Sequence, residues 1–166
     1  NIDEITNYYN QYKEEFKLSN NIFKGRYIIV DKSAPKLDRL SVWYNSNKQE
    51  SLFNLQDYCQ QFAKEYYLGD TVWQYFSLIK ENISLDKIVD EKYFLRNNHA
   101  EYFTSGDYMY YFYIRDYKIK GNVSPLSMEK EKIRNVLLNK RKIEYLSKLE
   151  DELYQNGLAL KKIKIY

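Results

Sequence analysis

The chain has 166 residues, 44% hydrophobic and 30% charged, the size and balance of one folded domain or a small domain with an appendage rather than of a disordered segment. Its 26 basic and 23 acidic residues are mixed along the chain and leave a net charge of +3, a solvated surface rather than a nucleic-acid footprint. A single cysteine excludes an internal disulfide framework, a single histidine leaves little for a zinc site, and no apolar run approaches the roughly 20 residues of a membrane span.

Asp3 and Glu4 stand in the first turn of a predicted helix, where acids suit the positive end of the helix dipole. Ile5, Tyr8, Tyr9, Tyr12 and Phe16 then recur at helical spacing. A stripe this short is marginal alone in water and needs a second helix to cover it. Residues 22–30 alternate at first and become wholly apolar at Tyr27-Ile28-Ile29-Val30, the pattern of a strand that ends inside a sheet. A loop at 31–35 leads to a short helix over 37–44 and, past a polar break, to a helix expected over 50–67. Its broad apolar face comprises Leu52, Phe53, Leu55, Tyr58, Cys59, Phe62, Ala63 and Tyr66. Cys59 on that face reads as a small core residue whose thiol is kept protonated by apolar surroundings.

Gly69-Asp70 is turn chemistry. Residues 71–76 fit either strand or helix, Ser84 suits the cap of a short helix over 84–89, and 92–102 carry no assignable period. His99 has polar neighbours and reads as a surface residue. Ser105-Gly106-Asp107 turns the chain into an aromatic strand over 108–117, apolar on both faces and so expected at the centre of a sheet. Ser124 as cap and Pro125 at the first helical position open a long helix to about residue 156, on the order of 45 Å. Its expected buried stripe is Ile133, Val136, Leu137, Ile143, Leu146, Leu149 and Leu153. Gly157 is its expected C-cap and residues 161–166 a closing strand. Lys140-Arg141-Lys142 reads as a solvated face. The start at Asn1 reads as a processed or truncated product, with no segment of signal-peptide character in the chain. The 19 tyrosines accompany many Asn, Lys, Ile and Phe residues, all AT-rich codons, so their number alone carries little functional weight.

This element order resembles bacterial foldases of the SurA and PrsA type, in which a parvulin-like peptidyl-prolyl isomerase domain lies between helical chaperone segments. The segment from Asp3 to Phe16, with Tyr8-Tyr9, is similar to the helix leading into the isomerase domain, and residues 22–30 to the first parvulin strand. Ser124-Pro125-Leu126 through Ile133, the run from Leu137 to Lys142 and the terminal Ile163-Lys164-Ile165-Tyr166 look like the closing chaperone helix and strand, nearest to Bacteroidetes-type versions. The resemblance implies an α+β fold: a parvulin-like antiparallel or mixed sheet flanked by helices, with a long C-terminal helix packed on the N-terminal one. Residues 1–21 and 124–166 would be the chaperone-like segments and 22–120 a degenerate parvulin-like domain.

Rotation about an X-Pro bond meets a barrier of ~18–20 kcal/mol, and parvulins lower it in a pocket bordered by two strand histidines. Matched to the family's motifs, Tyr27 stands in one histidine position and Met109 in the other, and the glycine-rich loop is reduced to Gly69-Asp70. Neither residue offers imidazole's donor and acceptor on two separate ring nitrogens. The resemblance therefore implies no catalytic residues, no metal and no cofactor. It implies an envelope or periplasmic chaperone in a membrane-proximal location that binds unfolded client polypeptides and not nucleic acid. Tyr27, Trp73, Tyr75, Phe76 and Met109 would line the former proline pocket as a binding groove; the competing expectation is that all five are core. Two further readings stand beside it: an active isomerase using Tyr27, Tyr110 or Cys59, and a structural module that docks through the long helix. Tyr27 and Met109 lining one concave pocket from adjacent strands would fix the parvulin register.

Overall fold

The computed structural model describes residues 1–82, 88, 90–97 and 99–159. The chain divides into two compact units, Lys17–Asn122 and Asn1–Phe16 with Val123–Tyr166.

The first unit is built on β1 (Ile22–Asp31) and β5 (Tyr108–Lys118), which pair antiparallel along their whole length, with Tyr27 opposite Phe112 and Val30 opposite Met109. β2 (Ala63–Tyr67) flanks β1, β4 (Ala100–Ser105) flanks β5, and the two-residue β3 (Gln74–Tyr75) pairs with the start of β1. The order is β2-β1-β5-β4 and every pairing among the described residues is antiparallel. Apolar residues on both faces of β1 and β5 fit their central position, because helices cover the sheet on both sides. On one side Phe23, Ile29, Phe112 and Ile114 meet Phe76 and Ile79 of α4 (Phe76–Asn82) and Phe94 and Leu95 of α5 (Glu91–Asn97). On the other, Ile28, Val30 and Tyr111 meet Leu40 of α2 (Leu37–Trp43), Tyr44, and Leu55, Tyr58 and Cys59 of α3 (Gln49–Phe62). Gly25 sits opposite a bulge in β5, where Arg115 is the extra residue, and no side chain fits there: a Cβ would lie 2.1 Å from the Tyr113 carbonyl oxygen.

The helix expected over 50–67 ends at Phe62, and Ala63 begins β2. Ala63, Glu65 and Tyr67 are half-buried while Lys64 and Tyr66 are exposed, a period of two that the helical face had absorbed. Residues 71–76 resolve into β3 and the start of α4, and the unassigned stretch 92–102 into most of α5 followed by the edge strand β4. The helix expected over 84–89 falls, except for Ile88, outside the described residues.

In the second unit, α1 (Ile2–Gln11) opens with a capping box, in which the Asn1 side chain accepts from the Asp3 amide at 2.6 Å and Glu4 reaches back to the cap. A 3-10 turn at Lys13–Glu15 follows. The long helix α6 (Leu126–Ala159) has 34 residues, ~51 Å at 1.5 Å per residue. It packs on α1: Ile133 is fully buried against Ile5, Tyr9 and Phe16, and the Tyr9 hydroxyl donates to the Ser124 carbonyl at 2.6 Å. Arg141 is ion-paired with Glu4.

Three expectations for this helix are corrected. The Ser124 hydroxyl is buried without a hydrogen-bond partner among the described residues, so it is no cap. Gly157 does not end the helix, which continues to Ala159; glycine costs a helix interior only about 1 kcal/mol against alanine, too little to break it. The apolar stripe is not buried along its length. Ile133 is covered and Leu137 packs against the same cluster, but Val136, Ile143, Leu146, Leu149 and Leu153 are exposed. From Ile143 onward the reason is length, since the 10 residues of α1 span only ~15 Å of its partner. The closing strand at 161–166 lies outside the described residues. The chain is thus α+β, a helix-flanked antiparallel sheet with a long C-terminal helix packed on the N-terminal one.

Candidate functional site

The five residues expected to form a groove do not converge. Tyr27 is half-buried on β1, its ring stacked at 6.2 Å on Tyr67 and 6.4 Å on Phe112, and its hydroxyl donates to Glu65 Oε1 at 2.8 Å. Burial, then the neighbouring carboxylate, raises the phenol well above its ordinary range. Phe76 lies in the core, 1% exposed, edge-on to Phe23 at 5.6 Å. Tyr75 is half-buried on β3 opposite Ile22, and Trp73 is half-buried with the Lys24 ammonium 4.7 Å from its ring centroid.

Met109 is on the other side of the sheet. It pairs with Val30, packs against the cluster of Leu55, Tyr58 and Cys59, and its sulfur accepts from the Tyr111 hydroxyl at 3.8 Å. Successive side chains of a strand point to opposite faces, so with Tyr27 opposite Phe112 the β5 residues sharing its face are Tyr108, Tyr110 and Phe112. The two strands are adjacent as expected, but Tyr27 and Met109 do not line one pocket; the residue facing the Tyr27 side is Tyr110, one position on. Tyr110 is itself 8% exposed and stacked on Phe103 at 5.5 Å. Cys59 is buried in α3 against the Met109 face, and burial pushes its thiol up to about 12. It is therefore a protonated core residue on the side away from Tyr27.

Two features of the surface have site-like geometry. In the helical unit, α1 and α6 frame a cavity of about 450 Å³ with Ile2, Ile5, Leu137 and Leu138 on its walls and Lys130, Arg134 and Arg141 among its charged residues. Beyond it on α6, Ile143, Leu146, Leu149 and Leu153 recur at spacings of three, three and four, 68%, 44%, 38% and 62% exposed, with Tyr145 and Tyr154 exposed nearby. In the sheet unit, Arg26 is buried within β1 and ion-paired with Asp70 beside an open cavity. The sequence carried a signal for Arg26, a guanidinium inside an otherwise largely apolar strand. For the α6 stripe the signal was a helix too long for the short one available to cover it. Among the described residues no group of three His, Cys, Asp or Glu side chains is placed to hold a metal ion, and no helix is long and apolar enough to cross a membrane.

Neither a family model nor a curated protein sequence matches the chain. Among solved structures it is similar to one from the work on PEB4 and Cj1289, described as a virulence factor and a periplasmic protein, two structurally related SurA-like chaperones of Campylobacter jejuni. The identity is 15% and the TM-score 0.40, over 100% of this chain and 63% of the other, so the chain spans less than two thirds of that protein.

Proposed function

We propose that this chain is a chaperone-type domain of a bacterial envelope folding factor, and that it holds extended apolar stretches of unfolded polypeptide on the exposed face of α6. The observation that carries the reading is the row Ile143, Leu146, Leu149 and Leu153, large aliphatic side chains left in water on a helix that packs on α1 through Ile133 and Leu137. A row of this kind marks an interaction surface rather than scattered surface apolar residues. Fully covering one such side chain is worth ~1.5–3 kcal/mol, so a client covering four of them partially gains enough for reversible binding in any register. Tyr145 and Tyr154 add contact area with few rotors and tolerate water at one end. The resemblance of residues 3–16 and 124–142 to the helical segments of envelope foldases supports the location.

Isomerase activity is expected to be low. Tyr27 and Tyr110 share a face, but both are packed against the aromatic core, and Cys59 is protonated on the opposite side. The test is suppression of aggregation of a client diluted from denaturant, comparing the wild type with an Ile143→Asp, Leu149→Asp double variant that keeps the wild-type circular dichroism. Wild-type protection with its loss in the variant is the expected result; equal protection by the two sinks the assignment to α6. A protease-coupled proline-peptide assay on the same preparation completes the test, and a rate above background at high protein concentration would restore the isomerase reading.

A further inference from the structure

Arg26 is a guanidinium on a central strand, 3% exposed, held from three sides. Its Nη1 donates to the Ser46 carbonyl at 2.7 Å and, longer, to that of Tyr44 at 3.4 Å. Its Nη2 donates to Asn47 Oδ1 at 2.9 Å and to Asp70 Oδ2, and its carbon lies 4.8 Å from the Tyr113 ring centroid. Its Nε is buried with no hydrogen-bond partner among the described residues. A charge so placed requires a fixed counter-charge, and Asp70 supplies it. Arg115, one strand over on β5, reaches the other oxygen of the same carboxylate through a single contact of 3.4 Å, with its side chain 55% exposed. Two guanidinium groups therefore share one carboxylate, with one oxygen of Asp70 on Arg26 and the other in a single contact with Arg115.

These three charges line a cavity of about 440 Å³ together with Asn47, Leu52, Gln56 and Leu68, contributed by β1, β5, α3 and the loops before α3 and after β2. That volume suits a small ligand. Arg26, Arg115 and Asp70 sum to one surplus positive charge, which matches a monoanion. A phosphate dianion would overfill the charge and face the fixed Asp70 carboxylate. Leu52 and Leu68 offer an apolar wall, and the Gln56 side chain, one helical turn from Leu52, adds an amide on the same face of α3.

We propose that this cavity binds a carboxylate carried by an apolar residue, the C-terminus of a polypeptide, with Arg115 taking the carboxylate, Gln56 assisting, and Leu52 and Leu68 taking the last side chain. Arg26 is a positioning residue that fixes Asp70. The site belongs to the sheet unit and is independent of the surface on α6, so either can fail without the other.

The experiment is an NMR titration of the 15N-labelled chain with N-acetyl-Gly-Leu as the free acid, as its amide, and with amidated N-acetyl-Gly-Glu-Leu, which carries its carboxylate internally. The free acid is expected to shift the Arg115 side chain, the Gln56 amide and the Leu68 backbone saturably below about 10 mM, in the weak range that a few contacts support. The amide should bind at least tenfold more weakly, the difference made by one charge-assisted hydrogen-bonded pair. Two variants at exposed positions leave the buried Arg26 network intact: Arg115→Gln should lose about tenfold or more, and Gln56→Glu should compete with the ligand and weaken it in the same direction. Equal binding of acid and amide, unchanged affinity in Arg115→Gln, or the absence of saturable shifts overturns the proposal. Equal binding of the internal glutamate peptide, or tighter binding of inorganic phosphate, overturns the assignment to a chain terminus.

Discussion

Ile133 and Ile143 lie on one helix, in one sequence-predicted stripe, and are predicted to respond oppositely to the same substitution. Ile133 is 0% exposed and packs among Ile5, Tyr9 and Phe16. Replacing it with alanine removes three buried carbons and leaves a cavity between two helices that meet over a short contact, and such substitutions cost ~2–5 kcal/mol. Ile143 is 68% exposed, so Ile143→Ala loses almost no burial and gains a few tenths of a kcal/mol from the better helix propensity of alanine. The assay is urea unfolding followed by ellipticity at 222 nm, which reports α6, and in parallel by tryptophan fluorescence. Both tryptophans, Trp43 and Trp73, lie in the unit Lys17–Asn122, so fluorescence follows the sheet unit and separates the two transitions if they are not coincident. Ile133→Ala should lower the midpoint of the ellipticity transition, and Ile143→Ala should leave it unchanged or slightly raised. A loss above about 1 kcal/mol in Ile143→Ala would mean that the distal half of α6 is covered in solution, and would remove the surface on which the chaperone reading rests.

Gly25→Ala should destabilise the sheet unit by a few kcal/mol, because the new Cβ would meet the backbone Tyr113 oxygen at 2.1 Å and the Phe23 ring at 3.1 Å, and the backbone cannot yield as a flexible side chain would. Gly106→Ala is expected to cost less, about 1–2 kcal/mol, since its φ of +56° is unfavourable for alanine but nothing lies within 4 Å; tryptophan-detected urea midpoints should rank wild type, Gly106→Ala and Gly25→Ala in that order. From pH 7.5 stability should hold to about pH 9 and fall between pH 9 and 12. The folded state keeps Cys59 protonated to about 12 against 9.0, and Tyr58 to about 12 against 10.0, so above pH 9 the unfolded chain releases protons that the folded chain retains. Urea midpoints at pH 7.5, 9 and 10.5 check this, and a constant midpoint across that range refutes the burial argument.

The strands legible in the sequence were those whose two faces are both covered. Residues 22–30 and 108–117 read as strands because Tyr27-Ile28-Ile29-Val30 and Tyr110-Tyr111-Phe112 have no polar face that a surface helix would require. β2 was missed because Phe62, Ala63 and Tyr66 extend the helical spacing of α3 past its end. Period alone could not show that Ala63 pairs with Val30 and that Glu65 accepts from Tyr27. β4 was missed because an edge strand of alternating exposure, with Tyr102 outward, has no apolar run to announce it. On α6 the stripe and a length greater than one small domain needs were legible, but not which residues stay uncovered, because sequence spacing records which residues share a face and not how far the partner helix reaches.

Met109 departs from the expected groove for a different reason, a slip of one position. Motif matching set Met109 where a catalytic histidine would stand, and in a strand one residue is the difference between the two faces of the sheet. The pairing of Tyr27 with Phe112 moves the comparison to Tyr110, which changes the chemistry in question from a thioether to a phenol. A phenol stacked on Phe103, 8% exposed, beside a second phenol already donating to Glu65, is a hydrogen-bonded aromatic wall rather than a proton-transfer pair. Phe76, Phe94 and Phe112 occupy the rest of that face with ring centroids 5.5 to 6.4 Å apart. That face is thus packed with side chains that stabilise the sheet. The two surfaces proposed for binding lie away from that face: the exposed end of the α6 stripe, and Arg115, whose guanidinium makes only a single contact of 3.4 Å with Asp70.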